Sequence, residues 1–198
     1  MSSSLVDMIA STVIFGVLAL TVARVQANIN VTMFENQHNV VTQTNSVEFA
    51  RQIEWDFVKI GHHVAGQKIT TADSTEIRFQ ADLDNKNVIN SVRYHVGDTS
   101  QCSMTLNKHD YPLFRVQDGH SVVQNWGLTE FRIMYYDSLE QKIPTPILGA
   151  TNLAKIHSIK VAFQLESAEP VVSEHGSAWA MVAWEKTIIP RNLGSLNY

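Results

Sequence analysis

The chain opens with an unbroken apolar run. Residues Leu5–Ala23 carry a single charge, Asp7, and Arg24 follows at once. A helix rises ~1.5 Å per residue, so about 20 apolar residues are needed to cross a bilayer. The run therefore predicts a transmembrane helix. A cleaved signal peptide and a buried core helix are the two alternatives, and the signal peptide fits less well because no basic residue precedes the run.

The residues after the run predict a continuation of the same helix to about Lys59. No Pro or Gly occurs between Gly16 and Gly61, and Gly61 is suited to end the helix. A kink or loosened turn is expected at Asn36–Asn45, where the apolar pattern weakens. Before and after Ile53, apolar residues recur three or four apart and form one stripe. That stripe comprises Val47, Ala50, Ile53, Phe57, Ile60 and Val64.

After Gly66 the hydrophobic period changes from 3.6 to 2, which predicts β-strands. Thr75–Val96 is predicted to form a β-hairpin around the turn residues Asp84–Asn87. Further strands are predicted around Met104 and Leu106, at Leu113–Val116, at Phe131–Tyr135, at Ile159–Leu165 and at Ala178–Ile188, with a loop at Pro144 and Pro146.

The predicted fold class is α+β, with a long N-terminal transmembrane α-helix packed on a C-terminal antiparallel β-sheet domain. Three regions follow from the pattern. Residues 1–29 form the membrane-spanning part of the helix, and residues 30–63 form its amphipathic continuation. Residues 64–198 form the β-rich globular domain.

Composition removes several classes of function. The chain has 15 Lys and Arg against 19 Asp and Glu, with no basic run, so no nucleic-acid partner is predicted. A single cysteine, Cys102, excludes an internal disulfide. Neither a Gly-rich phosphate loop nor a nucleophile elbow is present, so the sequence predicts no enzyme and no small-molecule substrate.

Asp7 is the residue of the apolar run with the clearest chemical meaning. A carboxylate at the centre of a span costs ~2.5–3.5 kcal/mol and usually marks function. Asp7 lies two residues into the run, from where it can also reach the interface and have no special role. The functional interpretation is that Asp7 meets a cation supplied by a neighbouring copy or partner subunit.

A calcium site is the one cofactor alternative, and none other is expected. Hard cations take several oxygen ligands at alternating positions, and such a set occurs at Asp82, Asp84, Asn85 and Asn87. The same residue types also build turns between strands, which is the favoured interpretation. His62 and His63 are adjacent, so on a helix they point about 100° apart and do not share an ion.

Residues Ser3–Val17 read S-S-L-V-D-M-I-A-S-T-V-I-F-G-V. This segment resembles the N-terminus of type IV pilins and of the pseudopilins of type II secretion. Those proteins begin, after processing, with a pattern close to F-T-L-I-E and an apolar run that often contains Ile-Phe-Gly. Asp7 stands for the family's glutamate, and Ile14-Phe15-Gly16 for the later motif. Ser2 stands at the glycine before the prepilin peptidase cut and Ser3 at the first mature residue, which marks them as the possible processing site.

The resemblance extends more weakly along the chain. Phe49–Gly61 and the series of strands after it are similar to J-type minor pseudopilins and to W-type minor pilins. This similarity implies a structural subunit that assembles through its N-terminal helix, with Asp7 pairing with a neighbour's N-terminal ammonium. The residues implied in helix packing are Leu5, Asp7, Met8, Ile9, Ile14, Phe15 and Gly16.

The implied partners are other pilin or pseudopilin subunits and the membrane. The implied location is a bacterial inner membrane, crossed once with the C-terminal domain in the periplasm, or an extracellular filament. A second hypothesis is a single-pass, membrane-anchored accessory or binding subunit of another complex that does not polymerise. The absence of a basic leader and of the consensus glycine favours this second hypothesis. A third hypothesis is a surface enzyme whose site has no linear motif, which a well-formed pocket with converging polar groups would indicate.

Overall fold

The structure, a computed structural model, describes residues 2–102, 105–173 and 176–193. It begins with helix α1 (Ser2–Val58), which has 57 residues and is roughly 85 Å long at 1.5 Å per residue. The strands that follow are β1 (Ile69–Ala72), β2 (Glu76–Ala81), β3 (Asn90–Val96), β4 (Tyr111–Gln117), β5 (His120–Tyr136), β6 (Lys142–Ile143), β7 (Ser158–Glu166), β8 (Val171–Ser173), β9 (Gly176–Ala178) and β10 (Met181–Ile188). A 3₁₀ turn lies at Thr99–Cys102, and a short helix α2 at Ala150–Leu153.

The strands form one antiparallel sheet in the order β1-β2-β3-β4-β5-β7-β10, with β6 paired to β5. Strands β8 and β9 make a separate two-stranded ribbon. One face of the large sheet packs on the last turns of α1. The predicted α+β class, with a long N-terminal helix and a C-terminal antiparallel sheet, is confirmed.

Helix α1 is one continuous α-helix through Asn36–Asn45, so the loosened turn expected there is not found. The apolar pattern weakens because most of this segment touches no other part of the domain and faces solvent, not because the backbone breaks. Helix α1 ends at Val58, and Gly61 adopts a φ of 77°, the left-handed conformation that commonly follows a helix. The Gly61 amide donates a hydrogen bond to the carbonyl of Gln80 at 2.9 Å, which ties the helix exit to β2.

The buried stripe of α1 differs at its beginning from the predicted one. Val47 is exposed, and Phe49 is fully buried in its place. Phe49 lies four residues before Ile53 and eight before Phe57, so the three side chains line up on one helix face. The buried face of α1 comprises Thr42, Ser46, Phe49, Ala50, Ile53, Asp56 and Phe57, and Ile60 in the turn after the helix is buried as well.

Most predicted strands are present. The hairpin is β2–β3, in which Ile77 pairs with Tyr94 and Phe79 with Val92. The predicted strand around Met104 and Leu106 is not found: Met104 lies outside the described residues, and Leu106 lies in a bend. The last strand begins at Met181 and not at Ala178, because Ala178 belongs to β9. Strands β1, β6 and β8 and helix α2 were not predicted.

Strand β5 changes partner along its length. Its first half pairs with β4, and from Leu128 onward it also pairs with β7, with a register shift between Leu128 and Glu130. Gly127 lies just before this change with a φ of 77°. A Cβ atom at Gly127 would lie 2.2 Å from the carbonyl oxygen of Glu166. Both the backbone conformation and the close approach of β7 therefore require glycine here.

Gly127→Ala should destabilise the domain more than Gly119→Ala. Both glycines have positive φ, which costs an alanine about 1–2 kcal/mol. Only Gly127 also has backbone in the way, whereas Gly119 has nothing within 4 Å, and overpacking adds about 1–3 kcal/mol. Denaturant unfolding of the full chain in detergent, followed by tryptophan fluorescence, measures both variants. Equal losses for the two would show that the contact with β7 is not the constraint.

Candidate assembly helix and its anchorage on the sheet

The first half of α1 is exposed. Its large apolar side chains from Leu5 to Val25 are exposed, with Phe15 at 73% of its maximum area. No part of the most apolar window of α1 is buried inside the structure. In the described residues, α1 is the helix that is long and apolar enough to cross a membrane, and it lies near the N-terminus.

The hydroxyl groups of this segment are satisfied within the helix. Ser11 donates to the carbonyl of Asp7 at 2.7 Å, Thr12 to that of Met8 at 2.8 Å, and Thr21 to that of Val17 at 2.8 Å. Such bonds to the i−4 carbonyl leave no free hydroxyl donor on the surface. A helix in hydrocarbon needs its polar groups satisfied internally, so the segment is chemically suited to lipid or to a helix bundle.

The predicted packing residues are exposed on α1 but do not share one face. Leu5, Asp7, Met8, Ile9, Ile14, Phe15 and Gly16 are distributed around the helix, since successive residues turn by about 100°. Asp7 and Ile14, seven residues apart, lie on one side. A Cβ atom at Gly16 would have nothing within 4 Å, so this position is an open notch. Ser2 and Ser3, the possible processing site, lie in the first turn of α1, where the structure describes no side chains.

The other end of α1 is anchored by aromatic contacts. The ring of Phe49 lies 4.5 Å from that of Phe163 in β7, measured between centroids. Phe57 contacts Phe79 at 5.8 Å and Tyr94 at 5.7 Å, both edge to face. Aromatic pairs of this geometry add about 0.5–1.5 kcal/mol beyond area burial. These contacts fix the C-terminal turns of α1 to the sheet.

An ion pair lies within the same contact, with Asp56 buried and Arg115 partly buried. The Nε atom of Arg115 in β4 lies 2.7 Å from Oδ2 of Asp56 on α1, and the Tyr94 hydroxyl donates to the same oxygen at 2.6 Å. Gln117 accepts a hydrogen bond from the Arg115 guanidinium at 3.0 Å. The side chain of Gln52 donates to the Tyr94 hydroxyl at 3.3 Å.

Electrostatics keep this network in one protonation state. Burial and the Asp56 carboxylate raise the pKa of Tyr94 far above its ordinary value, so the phenol remains a donor. Burial opposes the charge on Arg115, but the hydrogen bonds to Asp56 and Tyr94 and the electrostatic attraction of these groups together outweigh burial and raise the pKa of the guanidinium. The network was not predicted from the sequence. The available signal was a carboxylate, Asp56, directly inside the apolar stripe of α1.

The side-chain oxygens of three candidate calcium ligands, Asp82, Asp84 and Asn85, contact N–H groups of the protein. Asp82 is buried; its carboxylate accepts hydrogen bonds from the amides of Lys86 and Asn87 and contacts Nδ1 of His63 at 2.8 Å. Asp84 pairs with Lys86 at 2.7 Å. Asn85 bonds Nε2 of His62 at 3.0 Å. The arrangement is that of an Asp-centred turn, and the described residues contain no group of three or more metal-ligating His, Cys, Asp or Glu side chains.

Burial raises the pKa of the Asp82 carboxyl, but the hydrogen bonds from His63 and from the Asn87 and Lys86 amides outweigh burial and hold the pKa below its usual value. The turn therefore favours the ionised carboxylate. Because His63 lies just beyond the end of α1, this contact also joins the helix exit to the hairpin.

Cys102, Trp126 and Trp184, the other residues considered as possible site residues, pack within the domain. Cys102 is buried at the end of the 3₁₀ turn, and burial raises the pKa of its thiol. Trp126 stacks on Phe49 at 6.2 Å, and Trp184 on Phe163 at 4.9 Å. These two tryptophans extend the core.

Comparison of the chain with protein-family models and with curated proteins gives no match.

Asp56→Ala should cost about 1.5–3 kcal/mol of unfolding free energy, because it removes the counter-ion of the partly buried Arg115 guanidinium and the acceptor of the buried Tyr94 hydroxyl. Glu130→Ala is the matched control. Glu130 pairs with Arg132 at the same 2.7 Å, but both side chains are more than half exposed, so the loss should stay within about 0.5 kcal/mol. Denaturant unfolding of the full chain in detergent separates the two. Equally small losses of unfolding free energy in both variants would show that the Asp56–Arg115 pair stabilises the fold no more than the exposed pair does.

Acid should destabilise the domain partly through Asp82. The folded-state pKa lies below the ordinary value of 3.8, so the stabilisation is complete above that value and is lost as pH falls through the lowered folded pKa. Asp82→Asn should therefore flatten the decline in unfolding free energy below about pH 4. Glu35→Gln, on the part of α1 that does not touch the domain, is the control and should follow the wild type. An unchanged acid slope in Asp82→Asn would contradict this assignment.

Proposed function

We propose that the chain is a structural subunit, a minor pilin or pseudopilin. It assembles through α1 into a type IV pilus-like filament, a type II secretion filament or the tip of either. The observation that carries the proposal is the division of one continuous helix. Its first half is bare and apolar, whereas its last turns are fixed to a β-sheet domain.

The proposed mechanism follows from this division. The apolar half of α1 is held in the bacterial inner membrane, with the sheet domain in the periplasm, until assembly. Extraction from the membrane exposes this surface to water unless it packs on other apolar helices, so burial drives bundling into a filament core. The anchored end of α1 carries the sheet domain with it, and the domain then covers the outside of the filament.

Asp7 is proposed to set the axial position of each subunit. Asp7 is the one charged residue of Leu5–Ala23, and the hydroxyls of Ser11 and Thr12 donate to carbonyls of the helix itself. In a bundle that excludes water, this carboxylate requires a cation, and a neighbour's N-terminal ammonium supplies one. The open notch at Gly16 lets two helices approach closely.

The proposed role requires neither a catalytic centre nor a cofactor. The buried Asp56 and Arg115 pair with each other and serve the helix–sheet contact. The partners are other subunits and the membrane. The balanced charge of the chain provides no attraction for nucleic acid.

Asp7→Ala should abolish filament assembly while leaving the domain folded. Without the carboxylate, the helix can no longer pair with a neighbour's N-terminal ammonium, and its axial position is not fixed. Filaments sheared from cells should contain the wild-type chain and at least about tenfold less of the variant, a change that corresponds to roughly 1.4 kcal/mol of assembly free energy. Glu35→Ala, which removes an acid of the same helix outside the apolar run, is the matched control and should be sheared off at the wild-type level.

Two results would contradict the proposal. Recovery of Asp7→Ala in sheared filaments at the wild-type level would remove the role of the carboxylate. A wild-type chain confined to the membrane fraction would favour a single-pass anchored subunit that does not polymerise. The mass of the mature N-terminus adds a check, since a start at Ser3 supports pilin-type processing and a retained Met1 supports a plain anchor.

A further inference from the structure

A narrow apolar seam continues along α1 beyond the all-round apolar run. It consists of Val22, Val25, Ile29, Met33, Val40 and Val47, which recur with a mean period close to 3.6 and are all exposed. Asn36 and Thr44 occupy the two intervening positions of the same row. Shallow grooves lie beside Met33 and Val40 and between Val40 and Val47. The projecting side chains of the seam could therefore pack into grooves of a second helix, and its grooves could accept side chains from that helix.

The seam faces away from the chain's own domain. At about 100° per residue, its centre lies about 130° around the helix from the buried face at Phe49–Ile60. A second helix can therefore lie along the seam without meeting the sheet. The spacing of three, four and four residues is an 11-residue repeat, which suits a nearly straight helix pair of slightly right-handed twist.

The flanks of the seam indicate which partner it accepts. From Val22 to Val47 the chain has two Asp, Glu, Lys or Arg residues, Arg24 and Glu35, which lie about 150° and about 130° around the helix from the seam. The positions beside the seam are Gln, Asn and Thr, so two copies of the seam meet without like-charge repulsion. The uncharged flanks provide no electrostatic selectivity for a partner helix of different sequence.

Asn36 supplies the register. A single Asn within an apolar helix seam pairs with its own copy, amide to amide, in a parallel in-register pair, and it is left unsatisfied in other registers. Anchoring of both chains in one membrane from the same side makes the two helices parallel.

We infer that residues Val22–Val47 of α1 form a parallel, two-fold pair with a second copy of this chain. The inference rests on the proposed anchoring of α1 and names the partner of its middle segment. The pair is symmetric. It shares Val22 with the apolar run at Leu5–Ala23 that makes the proposed filament contacts, and its other seam residues lie beyond that run.

Disulfide trapping tests the pair, because a disulfide needs Cβ atoms ~4 Å apart. The full chain is reconstituted in phosphatidylcholine vesicles with Cys102→Ser, which removes its single thiol. Val40→Cys and Val41→Cys are matched variants: neighbouring valines, 61% and 51% exposed, of which only Val40 lies on the seam. With a mild oxidant, Val40→Cys should form covalent dimers at least about tenfold faster than Val41→Cys.

Asn36 gives a second readout in the Val40→Cys background. Asn36→Glu places two carboxylates opposite each other and should reduce the dimer rate at least about tenfold. Asn28→Glu adds the same charge about 100° from the seam and should leave the rate within about twofold. Equal trapping at Val40 and Val41, or equal effects of the two Glu variants, would overturn the pair.

Two further experiments distinguish the proposed dimer contact from the proposed filament contact. The dimer should persist when Asp7→Ala is added, because the seam continues well beyond Leu5–Ala23. Filament failure with an intact dimer, or the reverse, then assigns each failure to its own contact. In host membranes, Val40→Cys trapped only to a different anchored protein would show that a second copy is not the partner.

Discussion

The contact between the last turns of α1 and the sheet supports the rest of the molecule. Phe49, Ile53, Phe57 and Ile60 are fully buried against the apolar face of the strands. Because the hydrogen-bonded ladder of α1 is uninterrupted from Ser2 to Val58, fixing its C-terminal turns also fixes the direction of the other roughly 70 Å. The exposed half of the helix is therefore presented by the domain in one orientation.

Apolar burial by itself does not specify that orientation. It is non-directional and would also tolerate a helix displaced by one turn. The ion pair of Asp56 and Arg115, with the Tyr94 hydroxyl on the same oxygen, has directional hydrogen bonds that are made in one alignment. A displaced helix would leave the partly buried Arg115 guanidinium without its carboxylate, which costs about 1.5–3 kcal/mol. The network adds specificity to a contact whose strength comes from the aromatic residues.

The surface of α1 changes character in three steps along its length. Around Leu5–Ala23 it is apolar on all sides, which suits lipid or a multi-helix core. Between Val25 and Val47 the exposed apolar residues are fewer, and most of them lie along one seam. From Phe49 onward the apolar face is occupied by the chain's own sheet. The width of the exposed apolar surface of α1 therefore narrows along the helix.

Much of this organisation could be predicted because hydrophobic periodicity is local. The apolar run, the continuation of the helix to about Lys59 and the hairpin at Thr75–Val96 each follow from residues near one another in the chain. Alternation with period 2 likewise located β7 and the second half of β5. The two-residue strand β6 and the four-residue strand β1 are too short to produce such a pattern, and the chain pairs them only because longer neighbours provide an edge.

The apolar N-terminal segment of α1, its single acidic residue and the α+β class could be read from the sequence, because composition and hydrophobic period depend on neighbouring residues alone. The tertiary structure decided which contacts join distant residues. Asp56 meets Arg115 across 59 positions, Gly127 is required by a carbonyl of β7, and Phe49 replaces Val47 on the buried face. It also decided that the oxygens of Asp82 accept protein N–H groups, since their direction depends on how the chain closes around them.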